Sequence, residues 1–383
     1  MSAVFFVWCL VALVVTVNAL RPPVPPHRRF PPLWLPGMLV SELAPALFLI
    51  RALVAAGFVA LGAHQGGLGR LALLLFVVSE AGLVVLMGRT IRSARDTGRA
   101  PSLLTLGKVW ESLPPEVELT AGVHYRDSLT LDVYSRAGEG DAPALIYLHP
   151  GSWMRGRPGR QARPLLYGLA REGWVVLDIR YPLSPHATFP EHLIGVKRAI
   201  AWARTEGSGK GIDPDRIAIA GASSGAHLAA LAALTAHRTD LQPGFEDVDV
   251  SVVACAVFYG IYDLLVRNPT RYDWPFVSRH VMKASPDDAP DLYRLGSPID
   301  QVRAEAPPFL VVHGGFDSAV LADESRHFVA ALRAAGAYVE HHEVEAAQHG
   351  FDAVASHRTR AVGAMTRAWL HRVVVESSEP TRG

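Results

Sequence analysis

The sequence predicts an α/β fold preceded by a three-helix transmembrane region. The fold is a mostly parallel sheet flanked by helices, with an antiparallel N-terminal hairpin and a small cap. Three observations carry this reading. Lys plus Arg number 37 and Asp plus Glu 36 in 383 residues, yet only eight of these charges fall within residues 1–90. The same ninety residues hold three long apolar runs. Beyond Pro114, short β-branched runs alternate with Ala/Leu-rich helical patterns, as in a sheet covered by helices on both faces.

The apolar runs are Ala3–Leu20, Leu43–Ala63 and Leu71–Gly88, each about long enough to cross a ~30 Å hydrocarbon core as a helix. They raise the mean hydropathy of the chain to +0.19. With almost no polar face, they fit three spans better than three buried helices of a soluble domain. The connector Arg21–Pro36 is rich in proline and does not continue a helix. Val17-Asn18-Ala19 resembles a signal-peptide cleavage site, but Met1–Leu10 has no basic region, so the uncleaved reading is preferred. Arg21, Arg28 and Arg29 follow the first run, and Arg89, Arg92, Arg95 and Arg99 follow the third. The positive-inside rule then places the first loop and everything after Gly88 in the cytoplasm. Arg51 and Glu80 lie near the middle of the second and third runs and are expected to pair between two antiparallel helices.

A linker at 91–113 leads into the α/β domain at 114–376, followed by a short tail at 377–383. Strands are predicted at Val117–Tyr125, Leu129–Tyr134, Leu145–His149, Val175–Ile179, Arg216–Ala220, Val250–Tyr259, Phe309–His313 and Tyr338–Val344. Helices are predicted at Arg163–Arg171, Leu193–Glu206, Ala226–His237, Ala322–Ala335 and His357–Val374. The first two strands have no helix between them, which gives the antiparallel hairpin. Asp263–Arg303 breaks the alternation and carries Tyr272, Trp274, Phe276 and Tyr293; it reads as an inserted cap. The net charge of +1 offers no bulk electrostatic case for nucleic acid. The only two cysteines, Cys9 and Cys255, stand in apolar stretches and form neither a disulfide framework nor a CxxC metal site.

The sharpest motif is Gly221-Ala222-Ser223-Ser224-Gly225, a G-x-S-x-G pattern between a predicted strand and an Ala-rich helix. That setting is what a nucleophile elbow requires, with Ser223 as the nucleophile. A serine hydroxyl needs a base to take its proton, and in this architecture the acid and then the base follow in chain order. Asp317 stands just past one strand and His349 just past the last, so Ser223, Asp317 and His349 form the expected triad. Asp263 and Asp323 are alternative acids, but the first precedes the cap and the second falls inside a helix. His341, His342, Glu343 and Glu345 are expected to be a solvated edge rather than a metal site. After the third strand comes His149-Pro150-Gly151-Ser152-Trp153. Pro150 has no N–H, so Gly151 and Ser152, joined by Ser224, are the expected oxyanion-hole donors. Trp153 and Tyr259 are expected to contact substrate.

These motifs resemble the α/β-hydrolase fold, and within it the hormone-sensitive-lipase-like and related carboxylesterase families, which carry H-G-G-G-W where this chain has His149–Trp153. Arg180-Tyr181-Pro182-Leu183-Ser184-Pro185 with Phe189-Pro190, and Gly211-Ile212-Asp213-Pro214-Asp215-Arg216-Ile217, agree as well. The resemblance covers roughly residues 115–375. The N-terminal helices are similar to those of membrane-anchored actinobacterial esterases. Three positions depart from the pattern: Pro150 and Ser152 replace motif glycines, and Ala222 replaces an acidic residue. The resemblance implies a membrane-anchored serine hydrolase of carboxylic esters, acting without metal or cofactor through an acyl-enzyme. An acyltransferase using the same triad and a catalytically silent binding module are the alternatives. Two readings of the anchor stay open. A lipid-like ester could be delivered laterally to the cap, or the anchor could fix location only while short soluble esters are hydrolysed.

Overall fold

The protein is described by a computed structural model over residues 1–23, 33–96, 109–136, 138, 140–268, 270 and 275–376. Tyr272 and Trp274 of the expected cap, and Arg28, Arg29 and Arg99 of the basic clusters, lie outside the described residues. The chain divides into two compact units. The first comprises Met1–Glu111, Gly314–Ala319 and Val344–Val362. The second comprises Ser112–His313, Val320–Glu343 and Gly363–Gly383.

The first unit is built on four helices: α1 (Ser2–Leu20), α2 (Trp34–Glu42), α3 (Ala44–Ala60) and α4 (Gly66–Asp96). Two of them, α1 and α4, are long and apolar enough to cross a membrane; α2 and α3, bent by 89° at Leu43, would make a third span together. The second apolar run is therefore shorter as a helix than its sequence suggests. Pro45 sits in the first turn of α3, where its missing N–H costs nothing but where it cannot extend the helix backwards. Pro36 stands likewise in the first turn of α2, so the connector becomes helical two residues before its expected end. Phe5, Trp8, Phe58 and Phe76 stack between α1, α3 and α4. Gly82 lets α1 approach closely, since a Cβ there would stand 2.6 Å from Thr16 Cγ2.

Arg51 and Glu80 make no direct hydrogen bond. The Arg51 guanidinium donates to Thr16 Oγ1 (2.8 Å) and Ser79 Oγ (3.2 Å), while both buried Glu80 oxygens accept no hydrogen bond among the described residues. The two side chains still interact electrostatically between α3 and α4.

The second unit holds an eight-stranded sheet in the order β1-β2-β4-β3-β5-β6-β7-β8. The strands are β1 (Val117–Arg126), β2 (Leu129–Arg136), β3 (Ala142–Leu148), β4 (Val175–Ile179), β5 (Ile212–Ala222), β6 (Ala254–Phe258), β7 (Phe309–Gly314) and β8 (Val339–Val344). β1, β2 and β4 pair antiparallel, and β4, β3, β5, β6 and β7 run parallel. The central strands are buried throughout, which explains their unbroken apolar composition. Five helices follow in alternation: α5 (Arg163–Arg171), α6 (Glu191–Thr205), α7 (Ser224–Leu234), α9 (Ala322–Ala334) and α10 (His357–Leu370); short α8 (Pro290–Leu295) sits in the cap segment. α7 is buried on all sides, as its run of alanines allows. β6 is shorter than its apolar run, because residues 250–253 pack as irregular backbone before the strand begins.

Asp178, in the middle of β4, is buried and accepts the Gly159 N–H at 2.6 Å. Burial first, with Asp132 on the paired strand adding to it, pushes its carboxyl up to about 7. A raised folded value means stability is fully present below the ordinary carboxylate range and is lost as pH rises toward 7. Asp178→Asn keeps the acceptor and removes the titration. Thermal unfolding in detergent should then show a wild type that weakens between about pH 4 and about pH 7, by on the order of 3 kcal/mol, and a variant that does not.

Candidate active site

β5 ends at Ala222 and α7 begins at Ser224, leaving Ser223 alone at the turn with φ 53° and ψ −119°. A non-glycine residue there is strained, and the surroundings must hold it. They do: the Ser223 N–H donates to Phe258 O at 2.9 Å, and its carbonyl accepts from His227 N at 3.0 Å. Both motif glycines are required by close approach. A Cβ on Gly221 would stand 2.4 Å from Gly225 O, and one on Gly225 would stand 2.2 Å from Leu148 O. The second clash shows how closely the end of β3 lies against the start of α7.

The loop after β3 is therefore brought beside the elbow. Tyr181 Oη donates to His149 O (2.9 Å), lies 3.5 Å from Ser224 Oγ, and stacks its ring on the His149 imidazole. Burial pushes His149 down to about 4, so the ring is neutral; with Nδ1 3.0 Å from Pro150 O, the proton is assigned to Nδ1. Gly151 adopts φ 144°, and a Cβ there would meet Arg155 O. Its carbonyl accepts from Met154 and Arg155 N–H, closing a tight turn. Ser152 and Trp153 follow in the left-handed region, at φ 56° and 58°. Among the described residues nothing accepts from the N–H of Gly151 or Ser152. The N–H of Ser224 stands in the first turn of α7, where no intrahelical acceptor exists.

Trp153 and Tyr259 are fully shielded. The Trp153 indole N–H donates to His227 Nδ1 (3.2 Å), and His227 Nε2 stands 2.6 Å from Gly296 O, so the histidine passes the connection on to the cap segment. Tyr259 directly follows β6 at φ 40°, its N–H donating to Val312 O at 2.7 Å. His227 was one of sixteen histidines in the sequence. Its place four residues after Ser223, one turn into the helix, was the signal that could have marked it.

In the first unit, the loops after β7 and β8 bring Asp317 and His349 together. His349 Nδ1 and Asp317 Oδ2 are 2.7 Å apart. The carboxylate is buried, and its other oxygen accepts from Ala319 N (2.9 Å). Both oxygens are thus occupied, which fixes the carboxylate and, through it, the imidazole. Gln348, not anticipated, ties the two loops. Its Oε1 accepts from Ser318 N (2.9 Å) and His349 N (3.0 Å), and its Nε2 donates to Ser318 Oγ (2.8 Å). The alternative acids are committed elsewhere: Asp263 holds Arg267, and Asp323 holds Arg326. Glu343 is bonded to Arg326, and Glu340 lies 3.9 Å from His342.

Comparison with known proteins fits this picture. The chain is 46% identical over 223 residues to the esterase LipQ of Mycobacterium tuberculosis (strain ATCC 25618 / H37Rv), covering 58% of this chain and 53% of LipQ. It is 36% identical over 283 residues to the probable carboxylic ester hydrolase LipM of the same organism, covering 72% and 65%. It thus spans a little over half to just under two thirds of these relatives. Among solved structures, a thermophilic esterase of the Planctomycetes species Thermogutta terrifontis covers 70% of this chain and 95% of its own at 23% identity, with a TM-score of 0.56. A truncated carbohydrate esterase from gut microbiota gives 24% identity and a TM-score of 0.58, over 68% and 99%. These structures share the α/β-hydrolase fold that the motifs predicted. The BD-FAE family model matches residues 131–332, more than half of the sequence, and the chain belongs to that family.

Proposed function

We propose that the protein is a membrane-anchored serine hydrolase that cleaves carboxylic esters. The observation that carries this is Ser223, held in a strained left-handed conformation at the N-terminus of α7 in the strand–turn–helix setting of an activated nucleophile. Ser223 Oγ attacks the ester carbonyl while His349 accepts its proton at Nε2. Asp317 holds the opposite nitrogen and stabilises the imidazolium. The N–H groups of Gly151, Ser152 and Ser224 receive the developing oxyanion. The alcohol leaves with the proton from His349, and water, activated by the same histidine, hydrolyses the acyl-enzyme. Ser152 adds a Cβ beside the acyl group. Trp153 and Tyr259, proposed to border the substrate, are fully shielded.

Similarity to the esterase LipQ and the probable carboxylic ester hydrolase LipM supports ester hydrolysis, and the apolar helices α1 and α4 support the anchor. On this reading α4 ends in the cytoplasm, since Arg89, Arg92 and Arg95 lie along its last turns.

The test is fluorophosphonate labelling of the full chain in detergent, alongside hydrolysis of p-nitrophenyl butyrate. Stoichiometric labelling that abolishes hydrolysis is expected. Hydrolysis that continues in fully labelled protein, or a folded protein that neither labels nor hydrolyses, overturns the proposal.

A further inference from the structure

Helix α2 belongs to the same compact unit as Asp317 and His349, and it touches their loops at two places. At its start, the Trp34 indole stands edge-on to the His349 imidazole, with ring centres 5.9 Å apart and an interplanar angle of 81°. The neighbouring Gly350 adopts φ 71°, and a Cβ there would lie 3.8 Å from the indole Cζ3. At the end of α2, Glu42 is fully buried. It pairs with the buried Arg358 and accepts from Ser356 Oγ at 2.6 Å. Arg358 also reaches Ser41 Oγ and, on α4, Thr90 Oγ1, both at 3.3 Å. Thr359 Oγ1 then donates back to Phe351 O at 3.0 Å. The stretch from His349 to Thr359 is thereby gripped by one helix near both of its ends. Leu35 and Leu39 of α2 are exposed.

A general base acts only when its proton-accepting nitrogen is held in place, and a displacement of about 1 Å can cost roughly 100-fold. Asp317 fixes one nitrogen of His349, and Gln348 fixes its backbone N–H. Neither restrains tilting of the ring about the Nδ1–Asp317 axis; a rigid aromatic wall does. We propose that Trp34 is a positioning residue for His349, with the Glu42–Arg358 pair holding α2 in register. The N-terminal helices are then part of the support of the active site as well as an anchor. This rests on the reading of His349 as the general base.

The test uses the full chain in lipid nanodiscs and compares wild type with Trp34→Ala, Trp34→Phe and, on the exposed side of α2, Leu39→Ala. For p-nitrophenyl butyrate, Trp34→Ala should lower kcat by roughly 10-fold or more with KM within about twofold. Trp34→Phe should restore most of the rate, and Leu39→Ala should leave it unchanged. Fluorophosphonate labelling should slow in proportion to kcat. A folded Trp34→Ala with the wild-type kcat overturns the proposal, as does an equal loss in Leu39→Ala. Should Trp34→Ala not fold, Trp34→Leu keeps the bulk and loses the ring, and a wild-type kcat there overturns it equally. A folded wild type that neither labels nor hydrolyses instead removes the ester-hydrolase reading itself, so the two failures are distinguishable.

Discussion

Replacing Ser223 with alanine is expected to abolish fluorophosphonate labelling and to lower kcat for a p-nitrophenyl ester by roughly 10⁶-fold, with KM within a few-fold. The magnitude follows from the role. Without the hydroxyl no acyl-enzyme forms, and the remaining groups can only polarise the carbonyl and orient water. Residual catalysis of roughly 10³-fold over water would then report the donors at Gly151, Ser152 and Ser224 by themselves. Stability should hardly change. The Ser223 side chain makes no cap bond to α7, and alanine meets the same φ of 53° with a similar cost. The backbone bonds to Phe258 and His227 that hold the elbow are untouched. Circular dichroism and thermal unfolding of the variant in detergent check that the loss is chemical. A variant that folds and keeps a rate within about 100-fold of wild type would show that another nucleophile carries the reaction.

How much of this could be read from the chain depended on whether the signal was local. The elbow is local in its pattern: Gly221 is needed because of a clash within five residues and Gly225 because of one with the end of the neighbouring strand β3, so the motif announces itself. The central strands are local too, since burial on both faces demands continuous apolar composition. The positions of Asp317 and His349 just after β7 and β8 follow from the strand order, a consequence of topology. What stayed hidden depends on partners far apart in sequence. Gln348 clamps Ser318 from 30 residues away, and its neighbours give no hint of it. Glu42 finds Arg358 across 316 residues, and Trp34 finds His349 across a similar gap. For Arg51 and Glu80 both charges were visible, but the hydroxyls that take the guanidinium, Thr16 and Ser79, lie 35 and 28 residues away on other helices.

Changing Asp317 to asparagine should lower kcat by roughly 10⁴-fold near neutral pH while leaving the fold intact. Which nitrogen of His349 carries the proton decides the outcome. The carboxylate accepts at both oxygens, from His349 Nδ1–H and from Ala319 N–H. Asparagine can keep its oxygen toward Ala319, where a backbone donor requires an acceptor. Its amide nitrogen then faces His349, and a donor there forces Nδ1 to become the acceptor. The ring proton moves to Nε2, and the base can no longer take a proton from Ser223. The defect is therefore one of tautomer and electrostatics, with the imidazole left in place by Gln348 and the surrounding loop. The control is Asp323→Asn, whose carboxylate is spent on Arg326 at the protein surface and whose loss should leave kcat within about twofold. Asp263→Asn breaks the bonds to Arg267 that order the start of the cap, so it should weaken thermal stability before it affects the chemical step. Labelling by fluorophosphonate must slow in Asp317→Asn alongside kcat, because the same proton transfer activates Ser223 toward the probe. If Asp317→Asn labels at the wild-type rate and Asp263→Asn does not, the acid of the triad has been assigned to the wrong loop.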